Sequence, residues 1–190
     1  ILQFVGQTIQ LERRNAAMNF FLGQIVSRLR DAGIYTLLVK GQGVAQCYER
    51  PLRRTCGDID LFHNEVNYQK AKDYLLPLSS SYYQELQEEK HFQITINSWS
   101  VELHGNLPCH LSKKVDNFLK TIQEETLEKG NVRLWDNNGV DIFLPEVNND
   151  IIFSFTHILK HFFYGGIGLR QICDWCRLIW KYNDRINIDL

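Results

Sequence analysis

Apolar side chains recur at helical spacing at both ends of the chain and at strand spacing between them. From about Leu11 to Ala32 they return every three or four positions, which is the period of an amphipathic helix, and Gly33 follows as a C-cap. From Glu146 onward the helical period returns in two segments that Tyr164-Gly165-Gly166 separates. Shorter helices are predicted at 44–49, 66–76 and 113–125, the last with Ser112 as its N-cap.

The middle of the chain has the shorter period of β-structure. In Trp99–His104 apolar and polar residues alternate, as in a half-buried strand, and an Asn97-Ser98 turn joins this segment to the run before it. A second hairpin is predicted around Asn137-Asn138-Gly139. The predicted strands are 34–39, 57–62, 82–86, 91–96, 99–104, 132–135 and 141–144.

These elements predict an α+β fold, because strands joined by tight turns dominate after residue 80. We expect a small mixed sheet flanked by helices and followed by a helical C-terminal lobe. Residues 1–145 are predicted to form the α+β core. Residues 146–190 are predicted to pack on it as the lobe, so that the two parts make one structural unit.

Two carboxylates stand two residues apart in the run Gly57-Asp58-Ile59-Asp60-Leu61-Phe62. Side chains at i and i+2 of a strand point to the same face, so Asp58 and Asp60 are expected side by side, with Ile59 and Leu61 facing the core. Two like charges this close stay ionised where a cation lies between them. The pattern therefore indicates a divalent metal site; a polar face on an edge strand is the alternative.

A third carboxylate commonly completes a site for phosphoryl transfer, in which metals neutralise a triphosphate and acidify the attacking hydroxyl. Glu102 is the candidate, because it lies on the polar face of a strand that should neighbour Asp58 and Asp60 in a mixed sheet. A surface glutamate is the alternative for this residue. Oxygen ligands without clustered thiolates favour Mg²⁺ or Mn²⁺ over Zn²⁺.

Basic residues and glycines near these acids suggest a phosphate-binding loop. Lys40-Gly41 ends a predicted strand and precedes a short helix, which suits phosphate contact, although no Walker A motif is present. Arg53 and Arg54 lie a few residues before the acids and could clamp phosphate oxygens. Solvated loop charge is the alternative for both arginines.

Several of these segments, in this order, resemble the uncharacterised nucleotidyltransferase family of the DNA polymerase β-like superfamily. They are Leu38-Val39-Lys40-Gly41, Tyr48, Arg53 or Arg54, Gly57-Asp58-Ile59-Asp60-Leu61 and Val101-Glu102-Leu103-His104. Later residues on the predicted helices resemble the helical C-terminal part of that family. They are His157, His161, Leu169-Arg170 and Asp174. The resemblance runs from about residue 30 to 180.

The resemblance implies a nucleotidyltransferase sheet in which Asp58 and Asp60 bind the metals, with Glu102 as third carboxylate. Lys40, Gly41, Arg54 and Gly57 are the residues expected around the NTP. The Gly-Ser or Gly-Gly pair usual in the superfamily is replaced here by Gly41-Gln42, and the gap from there to Asp58 is longer by a couple of residues. Lys40 and the loop arginines are therefore expected to substitute for the serine that normally touches the triphosphate.

His157 and His161 lie at i and i+4 on one helix face. They are predicted to pack and hydrogen-bond against the sheet, anchored by Asp174 or Arg170. The functional alternatives are acceptor binding and metal ligation with a third partner. His104 should point to the same face as Glu102, where it could contact substrate.

The five cysteines are odd in number and irregularly spaced, which argues against a disulfide framework and fits a reducing compartment such as the cytoplasm. The motif Cys173-Asp174-Trp175-Cys176 lacks a second pair at zinc-like spacing and lies in a helical pattern. We therefore predict two buried helical cysteines there.

Charge and hydropathy narrow the possible partners. The 21 basic and 22 acidic residues give a net charge of −1, so no global basic field attracts nucleic acid. A small molecule, a sugar or a protein side chain is favoured as acceptor over a long nucleic acid. No apolar run approaches the roughly 20 residues that span a bilayer, and no signal peptide follows Ile1.

The leading hypothesis is an enzyme that moves a nucleoside monophosphate from an NTP to a hydroxyl acceptor and releases pyrophosphate. A catalytically inactive nucleotide-binding or regulatory domain is the second hypothesis, prompted by the missing Gly-Ser pair. The third is a module that binds a helical protein partner, in the manner of an antitoxin pair.

Overall fold

A computed structural model describes residues 2–86 and 90–187 of the chain. Its first element is a long helix, α1 (Leu2–Asp31), which buries Met18, Leu22, Ile25 and Leu29 at helical spacing. Gly33 ends the helix as predicted: its φ of 70° is left-handed, and its N–H donates to the Arg30 carbonyl at 2.9 Å. The helix begins earlier than predicted, because adding turns to an existing helix needs no further nucleation.

Among the described residues seven strands follow, five of them in one mixed sheet of order β1-β2-β5-β4-β3. The pair β2–β5 is parallel and the other neighbours are antiparallel. The α+β prediction is confirmed. The strands of this sheet are β1 (Leu37–Val39), β2 (Ile59–Phe62), β3 (Ser81–Tyr82), β4 (His91–Ile96) and β5 (Trp99–His104).

Each face of the sheet has its own apolar core. Ile59 and Leu61 of β2 are fully buried against α1 and against α3 (Glu65–Leu75), as the alternation predicts. On the opposite face Phe62 packs with helices α4 (Lys113–Leu127) and α5 (Val147–Tyr164). The ring of Phe62 meets that of Phe153 at 5.9 Å in an edge-to-face contact. Asp60 and Glu102 share this second face.

The predicted second hairpin is present as β6 (Val132–Asn137) and β7 (Val140–Pro145), which pair in a separate two-stranded sheet. Its turn uses positive φ angles at Asn138 (54°) and Gly139 (85°), the geometry of a two-residue hairpin. β7 packs beside β1, so the hairpin extends the apolar core.

The two predicted C-terminal helices are α5 and α6 (Leu169–Lys181). Arg133 of β6 joins Asp150 of α5 in a buried ion pair at 2.6 Å, so contacts cross the boundary drawn at residue 145. The division into 1–145 and 146–190 stays a prediction; Ile1 and residues 188–190 lie outside the described part. Within that part, no helix combines the length and the apolar content that crossing a membrane requires.

Three further details differ from the predictions. Cys173 and Cys176 are exposed, because α6 turns Asp174 and Leu178 inward and leaves the cysteines on its outer side. The helix predicted at 44–49 is α2 (Gly41–Ala45), which starts directly after Lys40. The strand predicted at 82–86 is shorter, because Leu86 pairs with β4 through a single bridge to His91.

Candidate active site

The three candidate carboxylates meet where β2 and β5 run side by side. Asp60 and Glu102 are direct partners in the parallel register, although they lie far apart in sequence. Asp58 lies one residue before the start of β2, and all three acids line one cavity of about 620 Å³. The structure therefore brings together the acids that the sequence pattern selects.

Asp60 is the most buried of the three, with 4% of its surface exposed. Its Oδ1 accepts hydrogen bonds from Lys40 Nζ at 3.1 Å and His104 Nε2 at 2.9 Å. Burial alone would raise the pKa of this carboxyl, but Lys40 and His104 outweigh burial and hold the pKa well below its usual range. Asp60 is therefore an anion at neutral pH.

Asp58 has the opposite electrostatic environment. Burial, and then the negative charges of Asp60 and Glu102, raise its pKa to about 6. The charge of Lys40 only partly offsets these two neighbouring carboxylates, so the remaining negative charge disfavours ionised Asp58. An oxygen-rich cluster with excess negative charge fits a divalent cation such as Mg²⁺ or Mn²⁺.

Lys40 reaches Asp60 from a strained backbone. Its φ of 57° and ψ of −145° lie in a region that non-glycine residues rarely adopt, and such conformations cost on the order of 1–3 kcal/mol. The next residue, Gly41, also has a positive φ, 37°, and a Cβ there would lie 3.6 Å from the Asp58 carbonyl oxygen. This turn brings the backbone of the Lys40-Gly41 loop close to the acids.

Neighbouring helices fix the loop that precedes β2. Asn15 of α1 donates through Nδ2 to the carbonyls of Leu52 at 2.8 Å and Arg54 at 2.7 Å. Gln42 is buried and donates through Nε2 to the Asp58 carbonyl at 3.1 Å. The side chain of Gln42 therefore holds the backbone at Asp58, just before β2.

The structure distinguishes the two loop arginines. Arg53 points away from the acids and pairs with Glu12 at 2.6 Å on the exposed side of α1. Arg54 lines the cavity, where Asp174 of α6 binds its guanidinium through two hydrogen bonds, at 2.5 and 3.2 Å. Tyr48 donates to the same carboxylate at 2.7 Å. Of the two arginines, Arg54 is the one that lines the cavity.

All seven predicted site residues line the same cavity, including Gly57 in the loop before β2. Helices α5 and α6 form the opposite wall, with Thr156, His157, Lys160 and His161 from α5. The cavity therefore lies between the acidic face of the sheet and the C-terminal helices.

His157 and His161 contact each other edge to face, with ring centroids 4.4 Å apart. Burial, with further contributions from Lys40 and His161, lowers the pKa of His157 to about 2, so this imidazole is neutral. Asp174, one of the two predicted anchors, is bound instead by Arg54 and Tyr48. Among residues 2–86 and 90–187, no third His, Cys, Asp or Glu lies close enough to complete a metal site with His157 and His161.

His91, which belongs to none of the motifs in the sequence, lines the cavity beside Glu102. The hairpin of β4 and β5 pairs His91 directly with His104, and the two rings stack 4.8 Å apart. The signal was available, because counting outward from the predicted Asn97-Ser98 turn pairs the same two histidines. His104, which was expected on the face of Glu102, lies there.

The fold and the cavity define a protein of the nucleotidyltransferase type, with a mixed sheet that presents carboxylates toward helices. Residues 2–190 match the family described as uncharacterised nucleotidyltransferase, and the chain belongs to that family.

A solved structure, that of an antigenic nucleotidyltransferase-like protein from Paracoccidioides brasiliensis, shares the fold. Its TM-score is 0.52 at 13% sequence identity, and the similarity covers 85% of this chain and 74% of that one. No curated protein matches the sequence.

Proposed function

We propose that this protein is a metal-dependent nucleotidyltransferase that moves a nucleoside monophosphate from an NTP to a hydroxyl acceptor and releases pyrophosphate. The observation that carries the proposal is the meeting of Asp58, Asp60 and Glu102 with Lys40 on one wall of a cavity of about 620 Å³. A cavity of this size is typical of small-molecule sites.

In this proposal Asp58, Asp60 and Glu102 hold Mg²⁺ or Mn²⁺, which suits their oxygen donors and their excess negative charge. When bound, the metal neutralises phosphate charge and acidifies the acceptor hydroxyl. Lys40 exchanges its contact with Asp60 for a phosphate oxygen, and Arg54, which Asp174 holds at the cavity wall, adds positive charge beside it. Gly41 and Gly57 let the triphosphate approach the backbone closely.

The reaction is a displacement at the α-phosphorus of the NTP. The acceptor oxygen forms a bond to this phosphorus, and the bond from the phosphorus to the oxygen that bridges to the β-phosphate breaks. Pyrophosphate leaves with that bonding pair, and the hydroxyl proton passes to the carboxylate side of the cavity, where Glu102 lies. We propose a small molecule, a sugar or a protein side chain as acceptor rather than a long nucleic acid, and the helical wall opposite the acids supports this choice.

The test is calorimetric titration of ATP and the other NTPs in the presence of Mn²⁺ or Mg²⁺. We expect binding to require the metal and to disappear in the double variant D58A/D60A. The matched control is D73A/D141A, which removes two acids outside the cavity. Unchanged NTP binding in D58A/D60A, with circular dichroism showing a folded protein, would contradict the site assignment.

A second candidate function is a nucleotide-binding domain without turnover. Gln42 favours it, because the side chain at the position of the phosphate-binding serine is buried and bonded to the Asp58 carbonyl. Incubation of labelled NTP with candidate acceptors distinguishes the two functions. Pyrophosphate release that is lost in D60N supports the enzyme, whereas NTP binding without release supports the second candidate.

A further inference from the structure

We propose that His91, Glu102 and His104 form a nitrogen-bearing metal position that takes a transition ion, represented by Zn²⁺, rather than Mg²⁺. The position adjoins the Asp58/Asp60 site and shares Glu102 with it, so the inference rests on the proposed function for its context. It adds a second metal position, with imidazole ligands, beside the carboxylate site.

Three possible ligand atoms converge at this position. His91 Nε2 lies 3.1 Å from Glu102 Oε2, and His104 Nε2 lies 3.6 Å from the same oxygen. All three atoms lie within 4.8 Å of one another. Neighbouring ligands of an ion with bonds of about 2.1 Å are roughly 3.0–3.5 Å apart, so a small contraction brings the three atoms around one ion.

The register of the sheet creates this convergence. His91 and His104 face each other across the antiparallel pair β4–β5, and Glu102 precedes His104 by two residues on the same strand face. The two rings stack with an interplanar angle of 11° and turn Nε2 toward the same carboxylate. An ion bound by both Nε2 atoms has to lie near the plane of each ring, which two stacked rings do not allow. Metal binding therefore requires the rings to rotate and should disrupt their stacking.

The donor set explains the preference. Two imidazole nitrogens and one carboxylate oxygen suit Zn²⁺ and other transition ions, whereas Mg²⁺ prefers oxygen ligands and retains water. His104 Nε2 lies 2.9 Å from Asp60 Oδ1, and it must give up this hydrogen bond and its proton when it binds the ion. His91 and Glu102 line the cavity, so further coordination positions open toward a substrate.

The two histidine ligands differ in burial, so one is held in place and the other is free to adjust. His104 is only 7% exposed and is held against Asp60, whereas the side chain of His91 is 26% exposed at the cavity wall. H91Q is therefore the milder variant for a test, and H104Q is the second.

The experiment titrates Zn²⁺ into metal-free protein without nucleotide, by calorimetry, in a C173S/C176S background. That background removes the two exposed thiols of α6, which could bind Zn²⁺ themselves. We expect one tightly bound Zn²⁺ per chain that a hundredfold excess of Mg²⁺ does not displace. H91Q and H104Q should each weaken binding at least tenfold.

The matched control is H157Q/H161Q, which removes the other histidine pair of the same cavity and should leave Zn²⁺ affinity unchanged. A second readout is ring-proton NMR, in which Zn²⁺ should shift the imidazole signals that H91Q and H104Q remove. Absence of Zn²⁺ binding, displacement by equimolar Mg²⁺, or wild-type affinity in both H91Q and H104Q would overturn the proposal.

The two proposals fail separately. If D58A/D60A loses NTP binding while H91Q and H104Q bind Zn²⁺ normally, the imidazole position is wrong and the nucleotidyltransferase proposal stands. If NTP binding survives in D58A/D60A while H91Q weakens Zn²⁺ binding, the metal position stands without the proposed function.

Discussion

Asp58 and Asp60 carry the same functional group two residues apart, yet their surroundings push their pKa values in opposite directions. Two cationic or hydrogen-bonding neighbours hold Asp60 ionised, whereas burial and like charge disfavour ionised Asp58. A site of this kind stores electrostatic repulsion that a bound cation relieves. Such sites commonly lower the stability of the unliganded protein.

Replacing Asp58 with asparagine should therefore stabilise the metal-free protein. The pKa of Asp58 is raised from 3.8 to about 6, so at pH 7.5 the ionised form costs on the order of 1–3 kcal/mol, which D58N removes. The gain should vanish below about pH 4, where the carboxyl is protonated in both states. Urea unfolding in EDTA, at pH 7.5 and below pH 4, measures the difference in unfolding free energy between D58N and the wild type.

The control for this prediction is D141N, an exposed acid of β7, which should change the unfolding free energy by less than about 0.5 kcal/mol. A D58N protein that is less stable than D141N at pH 7.5 would refute the electrostatic account. Mn²⁺ binding by D58N should be lost in parallel.

His63 predicts a pH dependence of stability. It is fully buried, its Nε2 lies 3.1 Å from Thr36 Oγ1, and burial followed by the charge of His104 lowers its pKa to about 3. The unfolded chain protonates this imidazole near pH 6.5 while the folded protein does not, so stability is present above pH 6.5 and lost as the pH falls.

Between pH 7.5 and 5.5 the contribution of His63 should reduce the unfolding free energy by about 1.4 kcal/mol. In H63Q, the difference between urea unfolding at these two pH values should be smaller by that amount. Equal differences in wild type and H63Q would show that His63 is not held neutral.

At the scale of elements, the site depends on two long-range contacts. The parallel pair β2–β5 sets Glu102 beside Asp60, and α6 brings Asp174 to the loop before β2. The second contact joins residues 120 positions apart and orients the guanidinium of Arg54 along the cavity wall. Helix α6 is therefore part of the architecture of the site.

Two adjacent arginines allow a matched test of this contact. Arg54 and Asp174 have side chains only 9% and 11% exposed, so D174A should destabilise the protein by about 2–4 kcal/mol, because it strands a buried charge. The side chains of Arg53 and Glu12 are 45% and 33% exposed, so E12A should lower the unfolding free energy by less than 1 kcal/mol.

Chemical denaturation of the two single variants measures these losses. The double variant R54A/D174A should be less destabilised than the sum of its single variants, because no charge is left unpaired. Equal losses for D174A and E12A would argue against a buried, structural pair.

The hairpin β6–β7 depends on backbone conformation at its turn. Gly139 has a φ of 85° and no neighbouring heavy atom within 4 Å of an added Cβ, so G139A should lose about 1 kcal/mol through strain alone. Gly6 also has open space around it but lies inside α1, where G6A should gain about 0.5 kcal/mol through helix propensity. Thermal unfolding of both variants checks the opposite signs.

At the scale of the whole molecule, the C-terminal helices complete the second core. Phe153 of α5 packs with Leu37, Val39 and Phe62 of the sheet, and Asp150 of α5 pairs with Arg133. A chain that ends at residue 146 would expose these apolar side chains and leave Arg133 unpaired.

We therefore expect the chain to unfold in one cooperative transition. Circular dichroism and tryptophan fluorescence should give coincident urea curves, and a chain truncated after residue 146 should show no cooperative transition. Two separate transitions, or a truncated chain that unfolds cooperatively, would show that the predicted core 1–145 is stable alone.

Local sequence patterns were sufficient for most elements. Gly33 predicts the end of α1, Asn138-Gly139 the hairpin turn and Ser112 the start of α4, because caps and turns depend on interactions between residues a few positions apart. The strand period also selected Asp58 and Asp60, although β2 begins at Ile59 and leaves Asp58 in the preceding loop. The exposure of Cys173 and Cys176 was missed, because periodicity shows that α6 is amphipathic but does not fix which side is covered.

Sequence patterns therefore predict the helices, the hairpins and the candidate acids, and the resemblance to the family already favours Arg54 over Arg53. The register that sets Glu102 opposite Asp60, and the place of His91 beside these acids, follow from the folded chain. The physical reason is that these contacts follow from how whole apolar faces of β2, β5, α1 and α6 are buried together. Such burial is a property of the complete fold, which no short window of residues contains.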